Sequence, residues 1–257
     1  MTPREQWIAY ATIVIKEITR FMRIWQQTLV PPAISTLLYF VIFGSLIGKR
    51  IGQMDGFDYM DFLVPGLILM AVINASYQNV VGSFFGAKWG KSLEELLVSP
   101  TPNSIILLAY VTGGVARGLL VGLIVTGISL LFTDLNVFSI GFLISVAVLT
   151  AILFALGGFI NAIFAKTFDD VSMVPTFVLL PLTYLGGVFY SIHLLGDFWQ
   201  QLSKANPILY MVNAFRYGFL GISDVSLSVS FAMIGFFIVC FFALSLYLLT
   251  HSKRLRA

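Results

Sequence analysis

A stretch near the middle of the chain has the residue types of a phosphate-binding loop. Residues 86–92 read GAKWGKS. A loop of that kind cradles phosphates with its backbone amides, follows a buried strand, and needs four residues between its first glycine and the Gly-Lys-Ser. The position that requires the first glycine is Phe85, and a long apolar run stands where the strand is needed. The sequence therefore predicts that this chain holds no nucleotide and no cofactor by itself.

Residues for acid–base, nucleophilic or metal chemistry are scattered. His193 and His251 are predicted on opposite sides of a membrane, and Cys240 is the single cysteine. No Asp or Glu lies within the apolar runs, so neither a carboxylate pair nor an intramembrane proton relay is predicted. We therefore predict no catalytic residue and no metal site, which argues against an enzyme and against an ion-coupled carrier.

Arg117 is the charged residue inside an apolar run, about 18 Å of helix from the start of the run 105–132. A buried arginine without an acidic partner must face a wet cavity, carbonyl groups, an anionic ligand or a second subunit. In that case Arg117 belongs to a translocation path. Alternatively, the helix extends beyond the bilayer and the side chain reaches the lipid head groups. The sequence leaves both interpretations open.

The composition decides what kind of scaffold positions these residues. Of the 257 residues, 58 % are hydrophobic and 11 % are charged, against about 45–50 % and about 25 % in soluble domains. This excludes a soluble enzyme, a disordered chain and a fibrous one. The net charge is only +3, and the basic residues flank the apolar runs instead of forming a basic face, so nucleic acid is not an expected partner.

Six apolar runs are long enough to cross a bilayer as helices. They cover about 29–47, 62–81, 105–132, 137–165, 171–188 and 229–249. The fifth contains Pro175 and Pro181 and is predicted to be kinked or broken. We predict an all-α integral membrane protein with a single transmembrane domain over residues 1–257.

Residues 4–27 are predicted to form an amphipathic helix that lies in the membrane interface. Basic residues occupy one side of it, and apolar residues recur every three or four positions on the other. The apolar positions are Trp7, Ala11, Ile15, Ile18, Met22 and Trp25. The alternative is a helix packed on another protein surface.

The orientation follows from the basic residues in the short loops and at the termini. One side carries Arg4, Lys16, Arg20, Arg23, Lys88, Lys91, Lys166, Lys253, Arg254 and Arg256. The other carries Lys49, Arg50, Lys204 and Arg216. Because basic residues accumulate on the cytoplasmic side, both termini are predicted to be cytoplasmic.

Two segments between the spans have their own character. Within 88–100, a short helix is predicted from Trp89 to Ser99 with three leucines on one face and with Glu94 and Glu95 pointing elsewhere. It either caps the bundle or contacts a cytosolic partner. The segment 189–226 consists of apolar stretches of about 8–12 residues, too short to span, which predicts outer re-entrant helices.

A motif near the fifth span links these features to a known family. Its positions read Leu179, Leu182, Leu185, Gly186, Val188, Leu195, Gly196, Pro207-Ile208, Tyr210 and Arg216. Together with the six spans, the amphipathic N-terminal helix and the short helix after the second span, they resemble the permease subunit of type-2 ABC exporters.

The resemblance implies a division of labour. Two copies of the permease pair in the bacterial inner membrane among the membrane lipids, and two cytosolic ABC ATPase subunits carry ATP and Mg. Residues 88–100 become the coupling helix, with Trp89, Glu94 and Glu95 in contact with the ATPase. The outer gate contains residues of the motif. These are Gly186, Gly196, Pro207, Tyr210 and Arg216.

The resemblance also implies the direction and class of cargo. Members of the family export lipids, glycans, drugs and peptides, so an amphiphilic or glycan-like molecule moving outward is expected. Two other functions remain as alternatives: an intramembrane enzyme acting on lipid, and a passive channel or scaffold.

Overall fold

The computed structural model describes residues 1–252, apart from the side chains of Ser45 and Lys49. Lys253, Arg254 and Arg256, which contribute to the predicted orientation, lie outside the described residues. The N-terminal part, up to residue 58, forms α1 (Pro3–Arg23), α2 (Trp25–Thr28), α3 (Val30–Tyr39), a π-helical stretch (Phe40–Ile47), α4 (Gly48–Ile51) and a hairpin of β1 (Gln53–Met54) and β2 (Phe57–Asp58). The middle forms α5 (Tyr59–Trp89), α6 (Ser92–Val98), α7 (Asn103–Ser129) and α8 (Ile140–Phe164).

The last third begins with an interrupted helix. It consists of α9 (Phe168–Val174), a π-helical stretch (Pro175–Leu179) and α10 (Leu180–Leu185). Proline removes a backbone donor inside a helix and forces the ladder to shift, so the predicted interruption at Pro175 and Pro181 is confirmed. A 3₁₀ turn (Ile192–Leu194), α11 (Asp197–Lys204), α12 (Pro207–Leu220) and α13 (Leu227–His251) complete the described chain.

Six helical segments in the described range are long and apolar enough to cross a membrane. They are Trp25–Gly44, Tyr59–Trp89, Asn103–Ser129, Ile140–Phe164, Phe168–Leu185 and Leu227–His251. The prediction of an all-α membrane fold with six crossing helices is confirmed. The largest boundary difference is in the second helix, which continues to Trp89 because residues 82–89 contain no proline to end it.

α5 lies at the centre of the bundle and is buried on most of its circumference, with α7 and α8 packed along it. Close packing depends on glycines. A Cβ at Gly114 of α7 would lie 2.6 Å from Val80 Cγ2, and one at Gly118 would lie 3.0 Å from Ser76 Cβ. The glycine steps of the third span therefore serve packing within the chain.

The close approach of α8 to the backbone of α5 yields a stability prediction. A Cβ at Gly158 of α8 would lie 2.5 Å from the backbone oxygen of Tyr77, whereas one at the adjacent Gly157 would have no neighbour closer than 3.6 Å. Gly158→Ala should therefore destabilise the protein by about 1–3 kcal/mol through overpacking, and Gly157→Ala should not. Thermal unfolding of both purified variants in one detergent checks this, and equal midpoints would contradict it.

α1 packs on α7 with the face opposite to its apolar stripe. It begins at a capping box in which Thr2 and Glu5 bond each other's backbone amides. Ile13 and Phe21 are buried against the bundle, whereas Trp7 is 67 % and Ile15 63 % exposed. The apolar stripe therefore points away from the protein, as an interfacial helix requires.

Candidate functional site

The short helix after the second span begins later than predicted. α5 runs through Trp89, the chain turns at Gly90 and Lys91, and α6 covers Ser92–Val98. Lys91 adopts a left-handed backbone with φ 58°, which ends α5 and redirects the chain. The prediction that this helix starts at 88 or 89 is wrong, because Trp89 still belongs to the long helix.

α6 presents an acidic face outward. Leu93 is 2 % exposed and anchors the helix on the bundle, whereas Glu94 and Glu95 are exposed. Trp89 lies beside them at the end of α5, where its ring centroid is 5.4 Å from that of Phe168. We call these exposed residues (Trp89, Glu94, Glu95, Val98 and Phe168) the α6 surface. The α6 surface therefore combines aromatic, aliphatic and acidic side chains.

The apparent phosphate loop is the end of a helix. Residues 86–89 form the last turn of α5, so their backbone amides are engaged in the helix. The ammonium group of Lys88 donates hydrogen bonds to the carbonyl oxygens of Ile163 at 2.8 Å and Ala165 at 2.7 Å. A cation at the C-terminus of α8 is electrostatically favourable, and it fastens the base of α5 to α8.

A buried polar cluster joins α1 to α5. The Glu17 side chain is fully buried; its Oε1 accepts a hydrogen bond from Ser83 Oγ at 2.6 Å, and its Oε2 accepts one from Arg20 at 3.2 Å. Arg20 also donates to the side-chain oxygen of Asn79 at 2.9 Å. Asn79 of α5 therefore takes part in a hydrogen bond between two helices. We call these four residues the α1–α5 polar cluster.

Glu17 is a residue that sequence reasoning missed. It lies on the polar side of α1, which helical periodicity alone assigns to solvent. The signal was the spacing of Glu17 and Arg20 on one helical face, but the sequence could not say that this face meets the bundle.

Arg117 lies at the corner between α7 and the start of the first span. Its side chain is 6 % exposed, and its Nη2 donates to the carbonyl oxygen of Thr28 at 3.2 Å. Thr28 in turn donates its hydroxyl to the carbonyl of Phe21 at 2.8 Å. Arg117 is therefore directed at backbone carbonyls inside the bundle, with its Nε left without a hydrogen-bond partner in the described part of the chain.

A groove between α3 and α5 carries polar groups within the membrane-crossing region. Its volume is about 250 Å³, and Ser35, Asn74 and Gln78 contribute to its lining. Asn74 donates to the carbonyl of Met70 in its own helix, and Gln78 is exposed. Exposed polar side chains at membrane depth normally face another helix or water.

The N-terminal end of α5 is tied to the turn that follows α10. Arg216 of α12 is 2 % exposed; it donates to the carbonyl of Gly187 at 2.7 Å, and its guanidinium carbon lies 3.7 Å from the centre of the Phe62 ring. Tyr59 donates its hydroxyl to the carbonyl of Phe189 at 3.0 Å. These contacts clamp the first turns of α5 to residues 187–189.

The other motif residues lie in the same part of the chain, and not all of them contact this clamp. Pro207 is the first residue of α12, after the N-cap Asn206, and a Cβ at Gly186 would lie 2.8 Å from Ile208. Tyr210 donates to the carbonyl of Lys204 at 2.7 Å. Gly196 has open space around it and precedes α11 without joining the clamp.

One ionisable pair lies at the end of this segment. His193 Nε2 lies 3.7 Å from Asp224 Oδ1, and burial raises the pKa of the Asp224 carboxyl above its usual range. Among the described residues, no group of three or more His, Cys, Asp or Glu side chains could hold a metal ion.

Comparison with known proteins identifies relatives over most of the chain. The family model described as ABC-2 type transporter matches residues 8–220. The inner membrane transport permease YadH of Escherichia coli (strain K12) is 59 % identical over 251 residues, which cover 98 % of each chain. Nodulation protein J of Rhizobium leguminosarum bv. viciae is 23 % identical over 83 % of each chain.

Proposed function

Because the chain belongs to the ABC-2 type transporter family, we propose that it is the membrane subunit of an ATP-driven exporter of an amphiphilic, lipid-, glycan- or drug-like molecule. It is an ABC transporter permease of the inner membrane and not itself an enzyme. The observation that carries the proposal is the exposed α6 surface at the base of the central helix. It supplies a contact for the ATPase that such a permease requires.

The energy source is a separate cytosolic subunit. We place ATP and Mg in two copies of an ABC ATPase, each seated on the α6 surface of one permease. Glu94 and Glu95 lie in the first turn of α6 and are free to pair with basic side chains of that partner. Trp89 adds an aromatic contact, a residue type enriched at the centres of protein interfaces.

α5 transmits the movement of the ATPase subunits across the membrane. It is one continuous helix of 31 residues, about 46 Å long at 1.5 Å per residue. Its inner end adjoins α6, and its outer end holds Phe62 under Arg216 and Tyr59 against residue 189. A displacement of α6 by the ATPase therefore reaches the outer segment 189–226, which acts as re-entrant helices and an outer gate.

A second copy of this permease completes the translocation path. The α3–α5 groove leaves Gln78 exposed at membrane depth, and a facing subunit or a water-filled path between two subunits would solvate it. We place this groove at the interface of a homodimer. The α1 helix lies in the cytoplasmic interface, so that both termini are cytoplasmic.

Arg117 then acts by holding the entry of the first span to α7. Arg117→Leu removes the hydrogen bond to the Thr28 carbonyl and should lower permease-dependent ATP hydrolysis by about tenfold, equal to about 1.4 kcal/mol. Hydrolysis is measured with the co-purified ATPase in liposomes. Arg23→Leu, on the exposed side of α1, is the control; equal rates for all three proteins would contradict this role.

The proposed function is tested by gentle solubilisation of the tagged chain from its native membrane. We expect an ABC ATPase to co-purify in a one-to-one ratio and the complex to hydrolyse ATP. A homo-oligomer without ATPase activity would contradict the exporter proposal and favour a channel or an intramembrane enzyme.

A further inference from the structure

A second, apolar cavity lies in the bundle, and it shares no lining residue with the α3–α5 groove. Its volume is about 430 Å³, within the range of about 300–1,000 Å³ that is typical of ligand sites. α5, α8, the interrupted fifth span, α12 and α13 all contribute to its wall. Lining residues from these elements include Tyr77, Phe154, Leu179, Ile208 and Phe241.

Two local features of the wall add to the space between the helices. Gly157 of α8 lines it, and a Cβ there would still be 3.6 Å from Phe241, so the missing side chain leaves space. The π-helical stretch that ends at Leu179 widens the facing helix. Such insertions in helices are frequent at functional sites.

Part of the cavity rim is exposed. Phe164 and Val178 are each 46 % exposed, and Leu244 is 42 % exposed. These residues belong to three of the helices that cross the membrane, so the medium at the rim is lipid. An apolar space of this size, continuous with the lipid phase, gains van der Waals contacts when hydrocarbon fills it.

The polar groups of the wall are confined to one end. Asn161 lies one turn before the end of α8, and its amide nitrogen donates to the carbonyl of Val171 at 3.1 Å. Tyr77, its neighbour, is 1 % exposed, and its hydroxyl has no hydrogen-bond partner that meets normal geometry in the described part of the chain. A buried hydroxyl of this kind favours an occupant that supplies an acceptor.

The opposite end is purely apolar. Leu182 of α10 and Ile208 of α12 line it, next to the outer segment. The wall therefore changes from a hydroxyl and an amide to hydrocarbon along one direction, as does a phospholipid between its ester groups and its acyl chains.

We propose that this cavity binds one acyl chain of a membrane phospholipid, with an ester carbonyl accepting a hydrogen bond from the Tyr77 hydroxyl and the chain extending toward Ile208. The bound chain would support the fifth span from behind. This site is separate from the α6 surface and from the α3–α5 groove, so it does not depend on the transport proposal.

The test uses the full chain with its native partners in nanodiscs that contain phosphatidylethanolamine carrying a diazirine in the acyl chain. After illumination, adducts are mapped by mass spectrometry. Leu153 and Phe154 are 3 % and 8 % exposed and line the cavity. We expect adducts on both residues, in addition to adducts on the lipid-exposed Val239.

Variants locate the bound chain. Gly157→Leu fills the cavity and should lower adducts on Leu153 and Phe154 about tenfold while Val239 is labelled as before. Gly235→Leu, at a position with open space, is the matched control and should change nothing. If Gly157→Leu fails to fold, Val178→Phe narrows the exposed rim and should give the same loss.

Two results would overturn the assignment. The first is that Leu153 and Phe154 carry no adducts in the unmodified chain, or that a folded filling variant carries as many adducts on them as the unmodified chain. The other is labelling that disappears when MgATP is added to the complex, because the chain would then belong to a transported molecule. Tyr77→Phe should lower the adduct yield about threefold by removing the hydrogen-bond donor.

Discussion

Replacing both Glu94 and Glu95 by lysine should abolish permease-dependent ATP hydrolysis while the protein still folds. Both side chains are exposed on α6, so the bundle loses no buried contact. Reversing two charges that face a basic partner surface costs several kcal/mol of binding through like-charge repulsion. We therefore expect the co-purified ATPase to fall below detection and hydrolysis to fall more than about a hundredfold, a change of about 2.8 kcal/mol or more.

The comparison variants separate binding from helix stability. Glu94→Gln with Glu95→Gln removes the charge without reversing it and should weaken the association only partly. It also removes the favourable interaction of the acids with the N-terminus of α6, which is worth about 0.3–1 kcal/mol. Asp197→Lys changes an exposed acid of α11 and should leave association intact. Full ATPase recovery with the double lysine variant would exclude the α6 surface as the coupling contact.

Replacing Glu17 with leucine should cause the largest loss of stability among single substitutions in the N-terminal helix. The Glu17 carboxylate is fully buried and accepts hydrogen bonds from Ser83 and Arg20. Removing one member of a buried ion pair costs about 3–5 kcal/mol because the remaining groups are left unpaired. Arg20 keeps its bond to Asn79, which places the expected cost at the lower end, about 3 kcal/mol.

Thermal unfolding in detergent measures this effect. For a chain of this size, about 3 kcal/mol corresponds to a fall of roughly 6–12 °C in the midpoint. Glu17→Gln retains an acceptor for Ser83 and should lower the free energy of unfolding by about 1–3 kcal/mol. Glu5→Gln changes only an exposed cap of α1 and serves as the control. A Glu17→Leu midpoint equal to that of the unchanged protein would mean that the α1–α5 polar cluster does not hold α1 to the bundle.

The membrane class and the family follow from the sequence because they depend on local properties. A span is recognised from length and hydropathy alone, and Pro175 disturbs its helix wherever that helix packs. The outward position of Glu94 and Glu95 on α6 likewise follows from the local sequence, because they stand next to the apolar Leu93 but on another side of the helix. That helix begins a few residues later than predicted, because the turn at Lys91 requires a left-handed backbone that its residue type does not signal.

What the tertiary structure decided concerns which faces meet. Helical periodicity divides α1 into two sides but does not say which side contacts the protein, so burial of Glu17 and exposure of Trp7 emerge only when α7 and α5 are in place. Arg117 faces the Thr28 carbonyl because the start of the first span packs beside α7. The cavity beside Gly157 exists because five helices fail to fill the space between them. Such contacts join residues far apart in the chain, and no local pattern encodes them.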